Sequence, residues 1–130
     1  MTPFSTLARQ RATTVIAPDG SVVRPLLGLA GGTMAEFALA PGQVSTAVTH
    51  RTVSEIWYVL SGRGEIWRRH GTREEVTPLE AGISLTIPLG THFQFRALGE
   101  PGLTVLAVTM PPWPGDDEAT AVAGRWAPTV

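Results

Sequence analysis

Residues 42–64 read GQVSTAVTHRTVSEIWYVLSGRG. A Pro-Gly turn opens the stretch at Pro41-Gly42, and a Gly-X-Gly turn closes it at Gly62 and Gly64. Between them lie two runs with the two-residue alternation of β-strands, in which successive side chains point to opposite faces. On the first run Val44, Thr46, Val48 and His50 share a face. On the second, Glu55, Trp57 and Val59 share one face and Ile56, Tyr58 and Leu60 the other. Both faces of the second run are apolar apart from Glu55, which predicts a strand covered on both sides. A lone carboxylate in such a place is costly, so Glu55 requires a metal, a cationic partner or a raised pKa.

The same grammar extends in both directions. Turn signals recur at PDG 18–20, AGG 30–32, HG 70–71, AG 81–82, PLG 88–90, GEPG 99–102 and PPWPG 111–115. Glycine and proline supply the backbone angles such turns require. The runs between them, among them SVVRPLLGL, TMAEFAL, ISLTI, FQFRA and LTVLAVTM, are short and rich in β-branched, aromatic and aliphatic residues. Many short strands at this spacing predict an all-β sandwich or barrel. FSTLARQR and GDDEATAVAG are the only stretches with helical character, and both are short.

Length and composition set the outer bounds. The 130 residues predict one domain, 1–130, with its core barrel over about 20–110, an N-terminal arm over 1–19 and a Pro-rich C-terminal tail over 111–130. The formal net charge of −1 offers no basic surface for nucleic acid or anionic lipid. The chain has no cysteine, which excludes disulfides, thiolate metal sites and thiol nucleophiles. No apolar stretch reaches membrane-spanning length, so the expected location is the cytoplasm and the expected partner a small molecule. Gly-X-Ser-X-Gly, P-loop and dinucleotide-binding glycine patterns are all absent.

The spacing of particular residues resembles the cupin family of small jelly-roll barrels, or double-stranded β-helices. The family's first motif runs glycine, five residues, His-X-His, three or four residues, glutamate, six residues, glycine. Here it is met by Gly42, Val48-Thr49-His50, Glu55 and Gly62. The second motif runs glycine, five residues, Pro-X-Gly, two residues, histidine, three residues and often asparagine. Here it is met by Gly82, Pro88-Leu89-Gly90 and then Thr91-His92-Phe93-Gln94-Phe95-Arg96-Ala97. Two departures matter. Val48 stands where the first metal-binding histidine would be. Phe93 stands where the last would be, with His92 one residue early.

The resemblance implies a homodimer and an enzyme acting inside the barrel on a small oxygen-bearing compound. Two forms of chemistry follow from it. A bulge after the PLGT turn that re-aims His92 would complete a set of His50, Glu55 and His92. That set suits a divalent iron, manganese or zinc ion and lyase, isomerase, cyclase or oxygenase chemistry. Without the bulge, His50 and Glu55 are left as a metal-free acid/base pair. A third reading is a ligand-binding barrel without turnover. In each case Val48, Trp57, Phe93 and Phe95 are the candidate substrate-binding wall, and each of the three aromatics is equally an ordinary core residue. His70 and the arginines at 63, 68, 69 and 73 read as a solvated hairpin edge. Trp113, between prolines, reads as a lid or an interface residue.

Overall fold

The structure is a computed structural model that describes residues 3–130. Ten antiparallel strands follow in order: β1 Val15–Ile16, β2 Val22–Leu29, β3 Gly32–Leu39, β4 Val48–His50, β5 Ser54–His70, β6 Arg73–Glu80, β7 Ser84–Ile87, β8 His92–Ala97, β9 Leu103–Met110 and β10 Ala119–Ala121. The fold is all-β. The main path of pairing runs β1-β2-β3-β9-β5-β8-β4-β10, and β6 and β7 also pair with β5. Among the described residues no helix is long and apolar enough to cross a membrane.

Strand β5 makes the sheet curl. Its first half, from Ser54, pairs with β9 and β7, and its second half, to His70, pairs with β6 and β8. The SGRG stretch expected to be a turn is the bend within this one strand. The register against β9 shifts between Val59 and Ser61, and Gly62 takes φ +83°. A side chain at Gly62 would strike the carbonyl oxygen of Gly102, and one at Gly64 that of Arg96. Only glycine tolerates that backbone angle together with such close approach. The curl brings Trp57, Val59, Ile66, Phe93, Phe95, Leu103 and Val105 into one core. Trp57 packs edge-on against Phe95 with ring centroids 4.9 Å apart, a preferred aromatic arrangement.

Several expectations are corrected here. Only one face of the first half of β5 is covered: Trp57 is 1% exposed, whereas Ile56 and Tyr58 are 48% and 47% exposed. Neither helical candidate forms an α-helix. Arg9–Arg11 and Asp116–Glu118 are single 3-10 turns, too short to stand without tertiary support. The segment expected to be a tail is built into the sheet, with β10 pairing with β4. Within the segment expected to be an arm, β1 pairs with β2.

Candidate active site

His50 ends β4 and Glu55 is the second residue of β5, so a loop of three residues, Arg51, Thr52 and Val53, lies between the two strands. Glu118, from the C-terminal segment, holds that loop. Its carboxylate accepts hydrogen bonds from the Thr52 N–H at 2.6 Å, the Thr52 hydroxyl at 2.5 Å and the Val53 N–H at 3.1 Å. Burial pushes the Glu118 carboxyl up, but these bonds outweigh it and hold its pKa below the usual value. The loop therefore ends in a fixed position at both site residues.

Loop and strands together bring His50 Nδ1 to 3.2 Å from a Glu55 carboxylate oxygen, with both side chains buried. The alignment is off that of a hydrogen bond, and His50 Nδ1 has no hydrogen-bond partner. The other Glu55 oxygen accepts from the Trp57 indole N–H at 3.3 Å. Burial pushes the Glu55 pKa up to about 8; the Trp57 bond lowers it and the nearby Asp19 carboxyl adds to the rise. Burial pushes His50 down to about 4, partly offset by the charge of Glu118. The usual order of the two groups is reversed. At neutral pH Glu55 is the acid that holds a proton and His50 the base that lacks one.

His50 lines a cavity of about 240 Å³ bounded by β1, β2, β3, β4 and the segment around Trp113. Its walls are mainly apolar, including Val23, Leu26, Phe37 and Val48, with Asp19 and Asp116 as acidic members. The Trp113 ring meets the His50 ring edge-on at 5.2 Å between centroids, and the Trp113 N–H donates to the Thr33 hydroxyl at 3.1 Å. Asp19 is itself buried and accepts from the Ser21 N–H at 2.9 Å and hydroxyl at 2.6 Å. With Nδ1 held against Glu55, Nε2 is the ring nitrogen left for a molecule in this cavity.

The residues singled out in the sequence fall into three groups. His50 and Glu55 come together, and Val48 lines the cavity beside them. Trp57, Phe93 and Phe95 lie one layer behind: none lines the cavity, and they pack on one another and on His50, with Phe93 edge-on to the His50 ring at 5.3 Å. His92 is elsewhere. Strand β8 pairs with β4 and β5 without a register shift, so no bulge re-aims it. Phe93 points into the core, and by alternation His92 points out, where its Nδ1 lies 3.2 Å from an Arg69 guanidinium nitrogen. Burial first, and the Arg69 charge second, lower the His92 pKa. The expectation of His92 as a metal ligand is thereby corrected.

Without His92, the donor set does not fit a resident divalent ion. The Glu118 carboxylate is taken up by Thr52 and Val53, and the Asp19 carboxylate accepts two bonds from Ser21. Among the described residues no three His, Asp or Glu side chains gather in a way that could hold a metal. Asp19 and Glu118 carry no local signal of a role here: Asp19 reads as a turn residue in PDG and Glu118 as the end of an acidic run.

Comparison with known proteins now adds the family. A cupin-domain profile matches residues 35–109, more than half of the chain. The chain belongs to the cupin family. This cupin is 29% identical over 107 residues to an uncharacterized protein of Methanocaldococcus jannaschii, covering 78% of this chain and 82% of that one. Its fold is similar to that of oxalate decarboxylase from Bacillus subtilis, with a TM-score of 0.78, 16% identity and 94% of this chain covered. The cupin spans only 33% of that longer chain, and another structure of the same enzyme concerns its Mn(II) centres. It is also similar to Pac13 of Streptomyces, a nucleoside dehydratase. The structure of Pac13 with uridine gives a TM-score of 0.74 and 15% identity, with 93% of this chain and 92% of that one covered. At these identities the structural likeness is one of fold.

Proposed function

We propose that this cupin is a metal-independent enzyme that moves a proton on a small hydroxyl- or carbonyl-bearing compound, as in a dehydration or an isomerisation. The observation that carries this reading is the buried His50–Glu55 pair, 3.2 Å apart and with the usual order of acid and base reversed, at the wall of an apolar cavity. Neighbouring environments that push two pKa values apart mark an acid and a base.

His50 is the residue that meets the substrate. As the neutral base it takes a proton through Nε2. Glu55, behind it, is a neutral carboxyl facing Nδ1: the tautomer with its hydrogen on Nδ1 leaves Nε2 free to take the substrate's proton, and the imidazolium so formed returns that proton through Nε2 to the substrate atom that receives it. The pair changes protonation at about 4 and about 8, and these are properties of the two groups together. The apolar walls exclude water and strengthen each of these interactions. Trp113, edge-on to His50, limits how a substrate ring or chain enters. The similarity in fold and length to Pac13, a nucleoside dehydratase, is the reason to begin a substrate screen with hydroxylated ring compounds, nucleosides among them.

The test is turnover of such compounds by protein treated with a strong chelator. Retained activity that His50→Ala and Glu55→Gln each abolish supports the proposal. Activity that disappears on chelation and returns with manganese, iron or zinc replaces it with metal-assisted chemistry. Binding without turnover in any member of the panel leaves a ligand-holding barrel.

A further inference from the structure

A second cavity, of about 340 Å³, lies away from the first and is lined by Arg68, His70, Arg73, Glu75, Thr86, Pro88 and Thr91. It sits where β5 and β6 face the end of β7 and the turn that leads into β8. We infer that this cavity is a binding site for a small oxyanion, a carboxylate or a phosphate group, separate from the His50 site.

Three observations converge on it. Among the described residues only three buried side-chain polar atoms lack a hydrogen-bond partner: His50 Nδ1, Arg68 Nε and Thr91 Oγ1. The first marks the candidate active site. The other two belong to residues lining this one cavity, and Thr91 is only 3% exposed. Buried polar groups are ordinarily paired, so unpaired ones call for a ligand or water.

Charge is the second observation. Arg68 and Arg73 share one carboxylate, that of Glu75, at 3.0 Å and 3.6 Å. Two guanidinium groups on one carboxylate leave one positive charge in excess, which matches a monoanion. Orientation is the third. Arg68 is braced by the Thr86 carbonyl at 2.9 Å and the Thr77 hydroxyl at 2.9 Å. Its guanidinium plane is therefore set before any ligand arrives, leaving Nε–H to donate. His70 Nε2, 3.2 Å from the Leu89 carbonyl oxygen, ties the β7–β8 turn to the same wall. An unpaired N–H of a charged arginine and an unpaired threonine hydroxyl are both donors of the kind that contact the oxygens of an anion.

The experiment is titration of the full chain with inorganic phosphate and, separately, with acetate, at constant ionic strength with chloride as control, followed by amide chemical shifts. Saturable binding of one or both anions is expected, with shifts centred on residues 68–75 and 86–91. Whichever of the two anions saturates at the lower concentration identifies the head group. Thr91→Val and Arg73→Gln should each weaken binding about tenfold, while His50→Gln leaves it unchanged. Arg73 has a side chain 85% exposed, so its substitution does not threaten the fold and decides the matter if Thr91→Val proves unstable. No saturable shift above the chloride control, or equal affinity in Arg73→Gln and native protein, would overturn the inference. Because His50→Gln is read in parallel, failure here is distinct from failure of the proposed catalytic site.

Discussion

The two cavities treat their ionisable groups in opposite ways. In the first, a glutamate and a histidine are buried among apolar side chains with little to stabilise charge, and each is driven towards its neutral form. In the second, two arginines share the carboxylate of Glu75, and Arg68 has carbonyl and hydroxyl acceptors besides. Phe93 stands between them: its ring meets His50, and its backbone pairs with that of Arg68. One barrel thus holds a site suited to proton transfer and a site suited to holding an anion. Desolvation decides the first, and pairing decides the second.

The largest expected effect is on turnover. His50→Ala should lower kcat/KM on substrates of the first cavity by about 10²–10⁴-fold, the usual range for general acid–base catalysis. Glu55→Gln should lower it by a similar factor while leaving Arg73-dependent anion binding intact. Steady-state kinetics on the two variants check this. Loss of only a fewfold in both would remove the functional distinction between the cavities.

The departures from the metal-binding pattern supply a gain-of-function test. Val48→His together with Phe93→His returns histidine to both positions of the resembled motif. The double variant should bind about one manganese or zinc ion per chain, measured by metal analysis after dialysis, where the native chain should bind none. Equal metal content in both proteins would contradict the reading of Val48 and Phe93 as the positions that deny a metal its ligands.

Stability against pH sharpens the comparison from the folding side. Glu55 has its folded pKa raised from 4.5 to about 8. Ionisation in the unfolded chain therefore removes stability as pH climbs from 4.5 through 8. His50 has its folded pKa lowered from 6.5 to about 4, so its stability contribution is lost as pH falls from 6.5 through 4. Native protein should be most stable near the middle of this window. Glu55→Gln should flatten the alkaline limb by an amount on the order of a few kcal/mol, at about 1.4 kcal/mol per pKa unit. Urea unfolding at pH 5, 7 and 9 reads this directly. Parallel limbs for native and variant would show that Glu55 is not the buried acid.

The smallest effect concerns Trp113. Trp113→Ala removes an edge-on contact to His50 worth about 0.5–1.5 kcal/mol. It should raise KM severalfold with a smaller change in kcat. An unchanged KM would place Trp113 outside the binding wall.

Much of the fold could be read from the sequence because its signals are local. Alternation predicts the inner face of β5, and glycine spacing predicts a turn at SGRG where the structure has a bend within the strand. A Gly-X-Gly pair at a bulge and one at a hairpin look alike until the partner strand is known. The inner face of β5 was correct and its outer face was not, since apolar residues on a strand do not say what covers them. His50 and Glu55 were legible because motif spacing and burial agree on them. His92 was not, because one residue of register sends a side chain to the opposite face, and only the pairing of β8 with β4 and β5 settles it. Asp19 and Glu118 act on the site from remote positions in the chain, through bonds that leave no local pattern.

The most direct measurement is a ¹⁵N NMR titration of the His50 imidazole from pH 3 to pH 9. A neutral ring from pH 6 to pH 9, protonating only near 4, with a smaller change in Nδ1 near 8 as Glu55 ionises, is the predicted result. A ring that is fully protonated at pH 7, or that titrates near 6.5, would contradict the reversed acid and base on which the proposed chemistry rests.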